Sequence, residues 1–178
     1  AQVPHKVKAI PTQLTMTGYA TGDPQESIHF CTMLNVKTDG EVSAADSSLT
    51  ITNAKEAIIY IVNETSFNGF DKHPVNEGAP YLENVANDIW HTQNFSFDEF
   101  YERHLADYKA IYDRVKIRLS EKSDDSESSE YSDNTDALLK AYTDGGGQSR
   151  YLEELYFQFG RYLLISSSRT DNVPANLQ

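Results

Sequence analysis

The sequence predicts an α+β fold in which the strands of an antiparallel β-sandwich portion come first and helices follow. In the first 67 residues apolar side chains recur with the two-residue period of strands. After a segment broken by Asn68-Gly69, Pro74, Gly78 and Pro80 they recur at helical spacing. The composition, 39% hydrophobic and 24% charged over 178 residues, is typical of globular protein and predicts one ordinary domain or two small ones.

The strand pattern is regular. The predicted strands are 6–10, 14–19, 28–37, 41–45, 49–51 and 57–62. In the third, apolar side chains such as Leu34 lie on one face and Cys31 lies on the other. Asp39-Gly40 predicts a hairpin turn into the fourth strand. The run AIIYIV at 57–62 predicts a strand covered on both faces, and the spacing as a whole is typical of a sandwich or part of one.

Two one-sided helices are predicted next. Leu82, Val85 and Ile89 indicate a short helix, and apolar residues from 97 to 112 indicate a longer one. Ser96 and Glu99 have the spacing of a capping box at the start of the second helix. Both helices should therefore bury one face.

The pattern changes again after the second helix. Residues 114–119 alternate, so we expect one strand that returns to the sandwich. The acidic, Ser-rich stretch 121–134 predicts an exposed loop or linker. Thr135 is the expected cap of a short helix through Tyr142, and Asp144 with the three glycines after it predicts a turn. We expect three parts: a sandwich portion at 1–75, a helical linker at 76–134 and the start of a helical domain at 135–178.

The last 27 residues predict an amphipathic helix followed by a loop rich in hydrogen-bonding side chains. The predicted buried stripe consists of Leu152, Leu155, Tyr156, Phe159 and Leu163. Such a stripe needs a partner, so we expect it to be exposed if the chain ends here, as in a piece of a larger protein.

The net charge argues against two classes of binding partner. A net charge of −12 disfavours nucleic-acid and anionic-membrane binding, and no apolar run reaches the roughly 20 residues of a membrane span. Residues 121–136 hold seven carboxylates and one lysine, about half of that net charge. The single Cys31 allows no internal disulfide and is interpreted as a buried, inert thiol.

Few residues of the sequence indicate catalytic or metal-binding chemistry. The pairs Glu153/Glu154, Glu99/Glu102 and Asp124/Asp125 are interpreted as solvated side chains, not as acid/base groups. Trp90 could stack on a sugar, although a core position is the favoured interpretation. We expect no metal, because the histidines lack zinc-site spacing and a nearby cysteine, and we expect no cofactor. The histidines are His5, His29, His73, His91 and His104, the last expected to make a structural hydrogen bond at a domain junction.

Several runs resemble glycoside hydrolase family 95, which consists largely of α-L-fucosidases. The runs are 135–142, LYFQFGRYLLISSSR at 155–169 and PANLQ at 174–178, with His104, Asp107-Tyr108, Asp113-Arg114-Val115 and the hairpin at 40–46 upstream. The resemblance implies an N-terminal β-domain, a helical linker and an (α/α)6 barrel that holds the active site. The chain would hold the end of the first, all of the second and the opening helix of the third.

The resemblance also implies a function. A parent enzyme would remove terminal α-L-fucose from glycans, with inversion by a Glu general acid and a water positioned by Asn/Asp, and would be secreted or periplasmic. No residue here matches those catalytic positions, so this piece alone is expected to be inactive. Arg169, Asn176 and Gln178 are the candidate substrate-binding residues of the intact enzyme, because sugar hydroxyls require such donors and acceptors.

Two other classes remain open. A carbohydrate-binding sandwich module would need exposed aromatic residues, whereas those of the first 67 residues are scattered in strands. A helical interaction module would not need the PANLQ loop. Residues continuing beyond Gln178 with repeated helical hairpins would favour the hydrolase.

Overall fold

The computed structural model describes residues 2–119, 134–147 and 149–169. The chain divides into two compact units, 1–100 and 101–178. Apart from Asn134, the loop predicted at 121–134 lies outside the described residues. The division into sandwich, linker and barrel parts stays a prediction.

The first unit contains all six predicted strands. They form a four-stranded antiparallel sheet in the order β1-β2-β3-β6 and a separate hairpin, β4-β5. Their bounds are β1 (His5–Ile10), β2 (Gln13–Tyr19), β3 (His29–Thr38), β4 (Glu41–Ala45), β5 (Ser48–Thr52) and β6 (Ala57–Thr65). The strand predictions and the α+β class are therefore confirmed.

The predicted hairpin at Asp39-Gly40 is wrong, because β3 pairs with β2 and β6 while β4 pairs with β5. The Asp39 carboxylate accepts hydrogen bonds from the backbone N–H groups of Lys55 and Glu56, at 2.9 and 3.1 Å. These bonds hold the pKa of Asp39 below its ordinary value. They also bring the start of β6 close to the end of β3. The β4-β5 hairpin is therefore inserted in the chain between two strands that pair with each other.

Helix α1 (Tyr81–Asn94) packs on β3 and β6 and buries Val85, Ile89 and Thr92. On the face of β3 toward α1, Cys31 and Asn35 are buried, and Val36 is buried on the other face of the sheet. Burial of Cys31 is confirmed, and desolvation raises the pKa of its thiol. The Asn35 amide donates to Thr92 Oγ1 at 3.5 Å.

Two burial predictions are wrong. Ile59 and Ile61 are 51% and 66% exposed, because β6 is the last strand of its sheet and only alternate residues turn toward covered space. Trp90 is 57% exposed and not in the core. The buried stripe of α1 runs through Val85, Ile89 and Thr92, and Trp90 lies beside it.

Helix α2 (Phe97–Tyr112) begins with the predicted capping box. The backbone N–H and hydroxyl of Ser96 donate to Glu99 Oε2 at 2.7 and 2.8 Å, and the Glu99 N–H donates to Ser96 Oγ at 3.2 Å. Hydrogen bonds from Ser96 also lower the pKa of Glu99. Each residue thus satisfies a donor that the helix start leaves unpaired.

The second unit contains the rest of α2 with α3 (Thr135–Asp144) and α4 (Arg150–Ser167). The cap of α3 is Asn134, not Thr135, since its side chain accepts the Ala137 N–H. The predicted turn follows Asp144 and is confirmed by positive φ angles of 78° and 80° at Gly146 and Gly147. Among the described residues, no helix is apolar enough over sufficient length to cross a bilayer.

The predicted strand at 114–119 is wrong, because these residues form no strand. The Val115 carbonyl accepts a hydrogen bond from Arg161, and the Leu119 N–H donates to Glu154. Two of the backbone groups that a sheet would pair are therefore bonded to side chains of α4.

Candidate functional site

The predicted site residue Arg169 forms a two-pronged ion pair with Asp107. Its two terminal guanidinium nitrogens donate to the two oxygens of the Asp107 carboxylate, both at 2.8 Å. Parallel bonds of this kind fix orientation as well as position. The pair joins the residue two positions beyond the end of α4 to the middle of α2.

The pair changes the electrostatics of both groups. Hydrogen bonding from Arg169, then its charge, lowers the pKa of Asp107, and His104 adds a smaller effect. The same bonds raise the pKa of Arg169. Arginine carries five N–H donors, so three of those on Arg169 are not used by Asp107.

A second arginine ties α4 to the end of α2. Arg161 donates to the carbonyls of Tyr112 at 2.7 Å and Val115 at 2.8 Å, and to Gln158 Oε1 at 2.9 Å. Its guanidinium lies 4.5 Å from the centre of the Tyr112 ring, whose hydroxyl donates to Gln158 at 2.8 Å. A cation here also interacts favourably with the carbonyl end of α2.

Aromatic rings form a row along α2 that spans the positions of these two arginine contacts. His104 stacks on Tyr108 at 5.9 Å, and Tyr108 stacks on Tyr112 at 5.0 Å and meets Tyr162 of α4 edge-on at 6.0 Å. The role shown for His104 is therefore this ring contact. The hydrogen bond predicted for it at a domain junction stays a prediction.

The exposed apolar face of α4 is present as predicted. Tyr156, Phe159 and Leu163 are 80%, 54% and 49% exposed, whereas Leu152 and Leu155 are half-buried. Beyond its own stretch of helix, no described atom lies within 4 Å of the position that a Cβ of Gly160 would occupy. This face is open in the described structure.

The carboxylates near α4 have structural partners. Glu153 accepts the Tyr142 hydroxyl at 3.2 Å, which raises the pKa of Tyr142, and Glu154 accepts the Leu119 N–H at 3.1 Å. Among the described residues, no group of three or more His, Cys, Asp or Glu side chains could hold a metal ion.

The structure brings together one predicted site residue and one that sequence reasoning did not select. Arg169 is described, whereas Asn176 and Gln178 lie outside the described residues. Asp107, its partner, is 62 residues away along the chain. Asp107 belongs to one of the runs that carry the family resemblance, but no local spacing indicates its partner, and the pairing follows from the packing of α2 and α4.

Comparison with known proteins gives matches over both units. Residues 96–178 match the family model described as the glycosyl hydrolase family 95 catalytic domain. Over 177 residues the chain is 32% identical to Alpha-L-fucosidase 2 of Arabidopsis thaliana, with 96% of this chain and 21% of that protein covered.

Two fungal proteins, each called Probable alpha-fucosidase A, are also similar. The one from Aspergillus niger is 30% identical over 99 residues, with 56% of this chain and 12% of the relative covered. The one from Aspergillus oryzae is 26% identical over 176 residues, with 92% and 23% covered. The chain thus spans less than a quarter of the length of each relative.

Proposed function

We infer, from the membership of residues 96–178 in glycoside hydrolase family 95, that this chain is part of an enzyme that removes terminal α-L-fucose from glycans. The observation that carries the proposal is the 32% identity to an alpha-L-fucosidase over 96% of the chain. The similarity extends through the β-strands as well as the helices, so it covers residues of both units. Fucosylated glycans are the proposed substrates, and a secreted or periplasmic location is proposed with them.

The reaction places a requirement on the protein. Hydrolysis with inversion uses a protonated carboxylic acid at the glycosidic oxygen and a water activated on the opposite face of the sugar, with the two groups about 6.5 to 9.5 Å apart. We propose that a Glu acid and an Asn/Asp-positioned water do this outside the present residues. Glu99, Glu153 and Glu154 accept hydrogen bonds from groups of this chain, and these structural roles support a catalytic acid located elsewhere.

The activity is tested on the full-length protein with 4-nitrophenyl α-L-fucoside, and with 4-nitrophenyl β-D-galactoside as the control substrate. We expect release of fucose only, with β-L-fucose as the first anomer detected by proton NMR. The 178-residue chain alone should release none. A full-length protein that cleaves no α-L-fucoside would refute the function. Release of α-L-fucose as the first product would refute inversion but not the fucosidase function.

Arg169, Asn176 and Gln178 are the proposed substrate-binding residues of the intact enzyme. The three guanidinium donors that Asp107 leaves unused support this role for Arg169. Replacing Asn176 or Gln178 by alanine should raise KM for fucoside. Unchanged turnover and affinity would remove that residue from the site.

Arg169 either positions other groups of the site or contacts the sugar directly, and Asp107→Asn distinguishes these two roles. It keeps the guanidinium but removes the charge that orients it, so a positioning role predicts that Asp107→Asn and Arg169→Ala lower kcat/KM equally. A direct contact with the sugar predicts a larger loss for Arg169→Ala. Equal, wild-type activity of both variants would exclude Arg169 from the site.

A further inference from the structure

A cavity of about 390 Å³ lies at one end of the four-stranded sheet, entirely within the first unit. His5 and Lys6 of β1, Tyr19 of β2, His29 of β3 and Tyr81 of α1 contribute to its lining. The volume falls within the range of about 300 to 1,000 Å³ that small-molecule sites occupy. None of the lining residues belongs to the segment that matches the hydrolase family model.

Three rings form one continuous wall of this cavity. Tyr19 and His29 are direct cross-strand partners, and their ring centres lie 5.8 Å apart with an angle of 33° between the planes. The His29 ring in turn lies 6.3 Å from the ring of Tyr81. All three rings are half-buried, and burial raises the pKa of Tyr81. A wall of this kind suits the apolar face of a pyranose ring.

The position of His29 is set without any ligand. Its Nε2 is hydrogen-bonded to the Pro24 carbonyl at 2.8 Å, and its backbone N–H donates to Ser66 Oγ at 2.9 Å. Ser66 is itself buried, with 3% of its surface exposed. The central ring of the wall is therefore held in place, which lowers the entropy cost of binding.

The charge of the lining is opposite to that of the chain. The chain carries −12, yet the lining contains Lys6 and two histidines and no carboxylate. An ammonium group only donates hydrogen bonds. A sugar hydroxyl both donates and accepts and can bond to the hydroxyls of Thr17, Tyr19 or Tyr81, whereas only an anionic group also forms an ion pair with Lys6. The chemistry therefore favours an anionic group attached to a ring.

We propose that this cavity binds a sugar acid of the uronate class, whose ring stacks on Tyr19, His29 and Tyr81 and whose carboxylate pairs with Lys6. The site is separate from the fucoside hydrolysis proposed above. It would let the first unit hold an acidic residue of a glycan independently of the reaction.

The test uses the full-length protein and three probes: glucuronate, glucose and acetate. Glucose keeps the ring without the carboxylate, and acetate keeps the carboxylate without the ring. Titration followed by saturation-transfer NMR should give a dissociation constant of about 1 mM for glucuronate, as befits so small a ligand. Glucose and acetate should each bind about tenfold more weakly. Glucose binding as tightly as glucuronate would overturn the anionic assignment, and acetate binding as tightly would overturn the stacking.

Two matched variants locate the site. Lys6→Gln should weaken glucuronate binding about tenfold, the loss of one charge-assisted contact. Lys8→Gln makes the same charge change on the same strand outside the lining and should leave binding unchanged. Equal effects of the two variants, or no binding of glucuronate to wild-type protein, would overturn the proposal. Hydrolysis of 4-nitrophenyl α-L-fucoside should be the same in wild type and both variants, so failure here is distinguishable from failure of the proposed enzyme function.

Discussion

Replacing Val85 by alanine should destabilise the first unit by about 2 kcal/mol. Val85 is 0% exposed and lies on the face of α1 that packs on β3 and β6. The substitution removes two carbons at about 0.8 kcal/mol each, and incomplete closure of the resulting cavity adds to that loss. Leu82, on the same helix, is 53% exposed, so Leu82→Ala should change stability by only about 0.5 kcal/mol.

Urea unfolding of the chain, followed by tryptophan fluorescence, measures this difference. The chain has a single tryptophan, Trp90, and it lies on α1 itself, so the signal reports the helix whose packing is altered. The midpoint should fall for Val85→Ala at an unchanged slope. If Val85→Ala is within about 0.5 kcal/mol of wild type, or Leu82→Ala costs as much, the assigned packing of α1 on the sheet is wrong.

Three further predictions concern polar contacts. Thr92→Val should cost about 1 to 2 kcal/mol in the same assay, because the buried Asn35 amide loses its acceptor; wild-type stability would show that this contact contributes nothing. Ser96→Ala should cost about 1 kcal/mol by removing one half of the capping box, with loss of helical circular dichroism, whereas Ser96→Thr should retain most of both. Arg169 lowers the pKa of Asp107, so the stabilisation is fully present above the ordinary value of 3.8 and is lost as the pH falls through the lower folded value. Wild type should therefore be more stable than Asp107→Asn at about pH 6, and a difference that persists undiminished at about pH 2 would contradict this assignment.

Local patterns were sufficient for most of the secondary structure. The strands follow from two-residue alternation or, for β6, from a continuous apolar run, and α1, α2 and α4 follow from helical spacing. The capping box at Ser96 and Glu99 could be predicted because its two partners are three residues apart. The exposed stripe of α4 could be predicted because amphipathicity is a property of the helix alone.

The errors arise where backbone or side-chain partners come from elsewhere in the chain. The alternation at 114–119 has the period of a strand, yet these residues meet side chains of α4 instead of a sheet. The apolar run of β6 has the composition of a covered strand, but its place at the end of the sheet leaves Ile59 and Ile61 exposed.

The six strands, the four helices, the capping box of α2 and the family resemblance follow from the sequence alone, because each depends on residues that are close together or on a long run of matching residues. Three sets of contacts arise only in the folded chain: Asp39 accepts hydrogen bonds from residues 16 and 17 positions away, Arg169 pairs with Asp107, and Tyr19 and His29 form one wall of a cavity. These contacts depend on strand order, register and helix packing. Such features are set by burial summed over a whole unit, and no local spacing of residues encodes them.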